Sequence, residues 1–94
     1  MSFYVYILAS RKNGTLYTGV TGNLAMRVWQ HRSGTGSKFA HRYGVNRLVF
    51  VEFHDTMDNA IVREKQVKRW RRTWKLELIE QANPQWRDLY DEIL

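Results

Sequence analysis

Phe3-Tyr4-Val5-Tyr6-Ile7-Leu8-Ala9, followed beyond Arg11-Lys12-Asn13-Gly14 by Thr15-Leu16-Tyr17-Thr18-Gly19-Val20, is the stretch that decides the fold. The first segment alternates, with Phe3, Val5 and Ile7 on one side and Tyr4, Tyr6 and Leu8 on the other, and it is rich in β-forming side chains. Asn13-Gly14 is a strong hairpin signal, so the two segments are expected to pair antiparallel. Residues opposite one another in a hairpin share a face, and this gives the loop length a consequence. A two- or four-residue connection makes paired residue numbers sum to an odd value and puts Tyr6, Tyr17 and Gly19 on one side. A three- or five-residue loop separates the tyrosines. The even-length loop is favoured because Asn13-Gly14 suits a two-residue turn.

Working outward, Asn23 is placed to cap a helix from Leu24, and Ser33-Gly34 marks its end. Leu24, Arg27, Val28 and His31 fall on one inward stripe of that helix, while Trp29 points elsewhere. A short helix is expected over Lys38 to Tyr43, and the apolar run Leu48 to Phe53 reads as a buried third strand. Asp58 or Asn59 starts a long helix reaching about Trp70, and a second helical stretch spans about Thr73 to Gln81. Ala60, Glu64, Val67 and Trp74 stand at i, i+4, i+7 and i+14 on one stripe, which makes Trp74 a core residue. Pro84 ends the pattern after Asn83, and a turn or helix is expected in Trp86 to Leu94.

The 94 residues suit one domain, residues 1–94, with one core. Four Trp, five Tyr and four Phe supply apolar mass enough to fold without disulfides or metal staples. The absence of cysteine excludes a disulfide framework, a thiolate zinc site and a cysteine nucleophile. Neither a signal sequence nor a membrane-length apolar run is visible, so a cytoplasmic protein without membrane attachment is expected. The formal charge of +6 favours a polyanionic partner. Arg63, Lys65, Lys68, Arg69, Arg71, Arg72 and Lys75 concentrate that charge, with Trp70 and Trp74 interleaved, and Lys38 adds to it. This mixture suits phosphate neutralisation and base stacking. A solvated helix face backed by core tryptophans is the competing reading.

Polar groups interrupt apolar stripes at Tyr6, Tyr17, Arg27, His31 and Glu64, and such breaches are expected mainly at functional or strained positions. Each has an ordinary structural alternative. A strand tyrosine can satisfy its hydroxyl locally, Arg27 can snorkel past Leu24, and His31 can sit at the core edge with a backbone partner. Glu64 can pair with Arg63, Lys68 or Arg27, and Asn83 can simply end a helix. His41, His54 and the loop Gly34-Thr35-Gly36-Ser37 are weak signals singly; the loop lacks the P-loop lysine pattern.

Tyr4-Val5-Tyr6, then Tyr17-Thr18-Gly19, Arg27, His31, a helical Glu64 and Asn83 together resemble the GIY-YIG nuclease domain over essentially the whole chain. Glu64-Lys65 with Lys68, Trp70, Lys75 and Asn83-Pro84-Gln85-Trp86 resembles its small stand-alone bacterial branch. Tyr4 stands for the first Gly of the motif and Thr18 for the Ile, while both tyrosines and Gly19 are kept. The resemblance implies an α/β (α+β) sandwich in which helices flank a three-stranded antiparallel sheet. It also implies one divalent cation, Mg²⁺ or Mn²⁺, and metal-dependent hydrolysis of DNA phosphodiesters with little sequence specificity and a preference for single-stranded or structured DNA. DNA repair or DNA uptake is the expected setting.

Within that resemblance, one tyrosine activates water or relays a proton while the other orients phosphate or nucleophile. A phenol with a free pKa near 10 needs adjacent positive charge or metal-bound water for this work. Arg27 suits a clamp on non-bridging oxygens, because guanidinium offers paired donors and stays charged. His31 is placed to orient the nucleophile, donate to the leaving oxygen or contact phosphate, and Asn83 to bond a site group. Glu64 is the carboxylate assigned to metal, since Mg²⁺ commonly takes one or two protein carboxylates and keeps its waters. No small-molecule cofactor is expected, and the chain is read as a monomer or weak dimer. The rival functions are a non-catalytic nucleic-acid-binding or ribosome-associated module and a nuclease for RNA or junctions.

Overall fold

The computed structural model describes residues 2–34 and 38–94, so Thr35, Gly36 and Ser37 of the loop singled out above lie outside the described residues. Its elements are β1 (Phe3–Ala9), β2 (Leu16–Thr21), α1 (Leu24–Ser33), α2 (Lys38–Tyr43), β3 (Arg47–His54), α3 (Met57–Arg69), α4 (Arg72–Ala82) and α5 (Tyr90–Ile93). The strands form one antiparallel sheet in the order β2-β1-β3.

Tyr6 pairs with Gly19 and Leu8 with Tyr17, so Tyr6, Tyr17 and Gly19 do share a face. The expected two-residue turn is corrected, however. Ser10 and Thr15 close a four-residue connection, with Ser10 N–H donating to the Thr15 carbonyl at 3.0 Å and Gly14 N–H to that of Arg11 at 2.9 Å. Asn13 takes the left-handed conformation at φ 59, which asparagine tolerates better than most residues. A Cβ on Gly14 would lie 2.3 Å from Ser10 Oγ, the atom that also accepts from Thr15 N–H. The glycine is therefore required by close approach within the loop.

The sheet is covered on both faces. Tyr6 and Leu8 pack with Leu24 and Val28 of α1, Val45 and Leu48, with Leu89, Tyr90 and Ile93 alongside. Ile7 and Ala9 pack the other way, with Val49, Phe50, Val67 of α3, Ile79 of α4 and Trp86. Asn23 caps α1 through its side chain, and Gly34 closes it in the left-handed conformation at φ 83. The third strand runs one residue further at each end than its apolar run, and Phe53 is exposed.

The cap of α3 is Thr56, whose Oγ1 accepts from Asn59 N–H at 3.2 Å, so the helix starts slightly before the expected Asp58 or Asn59. Ala60, Glu64 and Val67 are buried on one stripe as anticipated. Trp74 is not core: it is 48% exposed and meets Trp70 edge-on. The reason is a break in helical phase, because Trp70 and Arg71 both adopt extended backbone between α3 and α4. Ile79 takes the inward position instead.

Residues 83–90 run against β3. Leu89 N–H donates to the Leu48 carbonyl at 2.7 Å, Leu48 N–H to Asp88 Oδ1 at 3.3 Å, and Arg47 Nη1 to the Trp86 carbonyl at 3.3 Å. β3 carries an irregularity where the partners of Ile7 and Leu8 skip from Phe50 to Leu48. Val49 is the residue passed over, and its carbonyl accepts from Asn83 Nδ2 at 3.1 Å. Among the described residues no helix is long and apolar enough to cross a membrane.

Candidate active site

The hairpin lays Tyr6 across Gly19, where a Cβ would come within 2.4 Å of the Tyr6 hydroxyl. Only a residue without a side chain lets the phenol lie this close to the neighbouring strand. The Tyr6 hydroxyl hydrogen-bonds His31 Nε2 at 3.0 Å, the tautomer deciding which atom donates. His31 is buried one turn beyond Arg27 on the inner stripe of α1. The Tyr17 ring lies 5.0 Å from the His31 ring and 6.3 Å from that of Tyr6, so the three rings form one cluster.

Burial, reinforced by the neighbouring Tyr17, pushes the Tyr6 phenol up to about 12 against the opposing hydrogen bonding and charge of Arg27. It is a protonated phenol at neutral pH, suited to donating or positioning and poor as a base. His31 is held below the ordinary histidine range by burial and by the charge of Arg27. The imidazole is therefore neutral in neutral solution. Arg27 is itself oriented by Gln30, whose Oε1 accepts from Nη1 at 3.2 Å. Gln30 sits outside the set of candidates the sequence supplies, since a glutamine one turn along a helix carries no distinctive signal.

Glu64 arrives from α3, whose Val67 packs with Ile7 on the face turned away from the tyrosines. Its charge nevertheless reaches the Tyr6 phenol and adds to the rise of that group's pKa. The carboxylate is buried and bound by Lys68 Nζ at 2.6 Å. Among the described residues no three His, Asp or Glu side chains converge as a metal cage. One buried carboxylate whose charge reaches the Tyr6 phenol fits a hard cation that retains most of its waters, and does not fit a closed, cage-type site. Lys68 is about half exposed, so it can swing into solvent and release the carboxylate.

Asn83 stands apart from this cluster. Its amide donates to the carbonyls of Val49 at 3.1 Å and Arg87 at 2.9 Å, and its Oδ1 accepts from Arg87 N–H at 3.0 Å. The first of these bonds ties the C-terminal segment to β3, and the other two close the turn from Asn83 to Arg87 within that segment.

The basic residues divide in the same way. Arg63 grips Glu52 through Nε and Nη2 at 3.0 and 3.3 Å and lies over the Trp70 ring. Burial acts to raise the Glu52 pKa, but bonds and charge from Arg63 and His54 outweigh it and hold the carboxyl below its usual range. Arg72 donates to the carbonyls of Asn13 and Gly14 at 2.7 and 2.6 Å, fastening the hairpin loop to α4. Arg71 covers the Trp74 ring. Lys38, Lys65 and Arg69 are exposed, and Lys75 is half-buried, its pKa lowered by burial and by nearby Arg72 and Lys68. Lys68, Arg72 and Lys75 thus gather together, with Lys68 paired to the Glu64 carboxylate.

Two aromatic residues also escape a reading by sequence. Phe39 and Tyr43, one turn apart on α2, extend the ring cluster outward, with Phe39 centred 6.3 Å from Tyr17 and 4.8 Å from Tyr43. Their i, i+4 spacing was the available signal, but in so short a helix it does not distinguish a core stripe from an exposed one.

Comparison with known proteins bears on the family and the fold. The profile of the GIY-YIG catalytic domain matches residues 2–77. A UPF0213 protein of Clostridium perfringens is 42% identical over 76 residues, covering 81% of each chain. One from Syntrophus aciditrophicus is 41% identical over 83 residues, 87% of this chain and 93% of the other. The solution NMR structure of a UPF0213 protein from Bacillus halodurans is similar at a TM-score of 0.58 and 33% identity, covering 94% of this chain and 93% of that one. With a sheet, a tyrosine pair and a family profile in agreement, the chain belongs to the GIY-YIG catalytic domain family, whose activity is of the nuclease type.

Proposed function

We propose that this protein is a metal-dependent endonuclease that hydrolyses DNA phosphodiesters with little sequence specificity. The observation that carries the reading is the cluster of Tyr6, Tyr17 and His31 on one sheet face, with Arg27 beside it and the charge of Glu64 in range. Arg27 binds non-bridging oxygens of the scissile phosphate and balances charge as it develops. Tyr17, the more open of the two tyrosines, relays a proton from the attacking water. Tyr6, protonated and tied to neutral His31, orients the nucleophile and phosphate. The water oxygen bonds to phosphorus, the bond to the leaving sugar oxygen breaks, and a proton passes to that oxygen. Glu64 would hold the cation, Mg²⁺ or Mn²⁺, which when bound would supply Lewis acidity to the reaction.

The Glu64–Lys68 pair favours a second reading, a nucleic-acid-binding module in which the carboxylate is already neutralised. Incubation of the purified protein with single-stranded and duplex DNA and RNA, in Mg²⁺, Mn²⁺ or chelator, separates the two. The nuclease reading expects metal-dependent cutting of DNA that is lost in Glu64→Gln while most of the binding remains. Cutting by Glu64→Gln at the parental rate assigns Glu64 to structure. Binding without cutting in every metal selects the module.

A further inference from the structure

The rings of the site do not stop at its edge. From buried Tyr6 and His31 they pass to half-buried Tyr17, then to Phe39 and Tyr43, which are 44% and 48% exposed. The planes of Tyr17 and Phe39 are inclined at 32°, and those of Phe39 and Tyr43 at 46°. The Arg42 guanidinium lies 5.6 Å over the Tyr43 ring, and Lys38 and His41 belong to the same helix, which carries no acidic residue. Nothing in core packing requires two large rings this exposed at the mouth of a site. Flat apolar faces bordered by cations match the chemistry of an unpaired nucleotide, whose base offers a π-face and whose phosphate offers a negative charge. An aliphatic partner would use neither the ring faces nor the charge.

We infer that Phe39 and Tyr43 of α2 form a base-stacking subsite that holds unpaired nucleotides flanking the phosphate presented to Tyr17. The inference rests on the nucleic-acid substrate proposed above and adds a residue-level account of how strands are selected. In a duplex the bases are stacked on their neighbours, so these rings gain a partner only where a strand is single, frayed or looped. The subsite reads no sequence, because every base has a face to stack.

The test measures binding in chelator, so that it stands or falls separately from hydrolysis. An oligonucleotide carrying 2-aminopurine is titrated with the parent, with Phe39→Leu/Tyr43→Leu and with Tyr43→Phe, alongside the matching duplex and a strand with abasic sites. Circular dichroism and thermal melting establish that each variant is folded. The parent is expected to quench 2-aminopurine and to bind the intact single strand on the order of tenfold more tightly than the abasic one. The double leucine variant should lose that tenfold and the quenching while keeping its duplex affinity, and Tyr43→Phe should behave as the parent. A matching RNA strand tells whether the sugar is read; the same loss in RNA, in DNA or in both supports the subsite. Parental single-strand affinity and quenching in the folded leucine variant, or equal loss on duplex and single strand, overturns it.

Discussion

Gly19 is where the site is least able to absorb change. Its missing Cβ would fall 2.4 Å from Tyr6 Oη and 2.5 Å from Cζ, and the phenol cannot simply swing away because His31 holds its hydroxyl. Gly19→Ala is therefore expected to cost about 1–3 kcal/mol of stability, as overpacking does, and to displace Tyr6. Urea unfolding measures the first effect, and loss of His31–Tyr6 contacts in NMR spectra the second; an alanine variant of parental stability would contradict so tight a contact. His31 makes a different prediction. Its pKa is lowered on folding, so below the unfolded value of about 6.5 the unfolded chain binds more protons and stability falls as pH falls. That loss ends once the folded-state pKa is passed. His31→Gln should flatten the stability profile in this window, leaving the separate loss below the usual carboxylate range that comes from Glu52, whose pKa is depressed. An unchanged slope in the variant would move the titration to another group.

Among the elements, Asn83 shows how one side chain joins two of them. It meets the Val49 carbonyl left over by the irregularity in β3 and binds Arg87 both ways. Asn83→Ala leaves buried groups unsatisfied and is expected to destabilise by roughly 2–4 kcal/mol in chemical denaturation. Cleavage per folded molecule should persist, and its selective loss would return Asn83 to the chemistry. Much at this scale was legible because it is local. The alternation of Phe3 to Ala9, the Asn23 cap and the Lys38 to Tyr43 helix depend on residues close in sequence. The exposed place of Trp74 was not, since neither Gly nor Pro marks the break at Trp70 and Arg71 that resets the helical phase. The turn was half legible: Asn13-Gly14 signals a hairpin, but Ser10 and Thr15 decide where it closes. The candidate site was readable as a set of residue types, whereas the Tyr6–His31 bond and the Arg63–Glu52 pair come from contacts distant in sequence.

For the molecule as a whole, charge is unevenly committed. Arg32 pairs with Asp88 and Arg87 with Glu92, drawing the acidic C-terminal residues onto nearby arginines. Lys68, Arg72 and Lys75 lie together where α3 passes into α4, Lys68 paired with Glu64, Arg72 bonded to the hairpin carbonyls and Lys75 near both. Affinity for nucleic acid should consequently fall steeply with salt. Replacing Lys68 and Lys75 by Ala should reduce the log–log slope by on the order of 1–2, while Arg63→Ala, which removes a residue already tied to Glu52, should leave it nearly unchanged. Binding titrations over a range of salt check both, and a slope set by Arg63 instead would relocate the nucleic-acid surface.

The segment that runs along β3 bears on something other than chemistry. β3 is an outer strand of the sheet, and Asn83, Asp88 and Leu89 bond the backbone groups it turns outward. An outer strand with bare amides and carbonyls is a template on which other chains can add, the first step toward fibres or exchanged dimers. A chain cut after residue 77, where the family profile ends, would keep the tyrosines, Arg27, His31 and Glu64 and still present that template. Residues 83–89 thus form a selvedge along β3, occupying on that side the backbone groups to which another strand could be stitched.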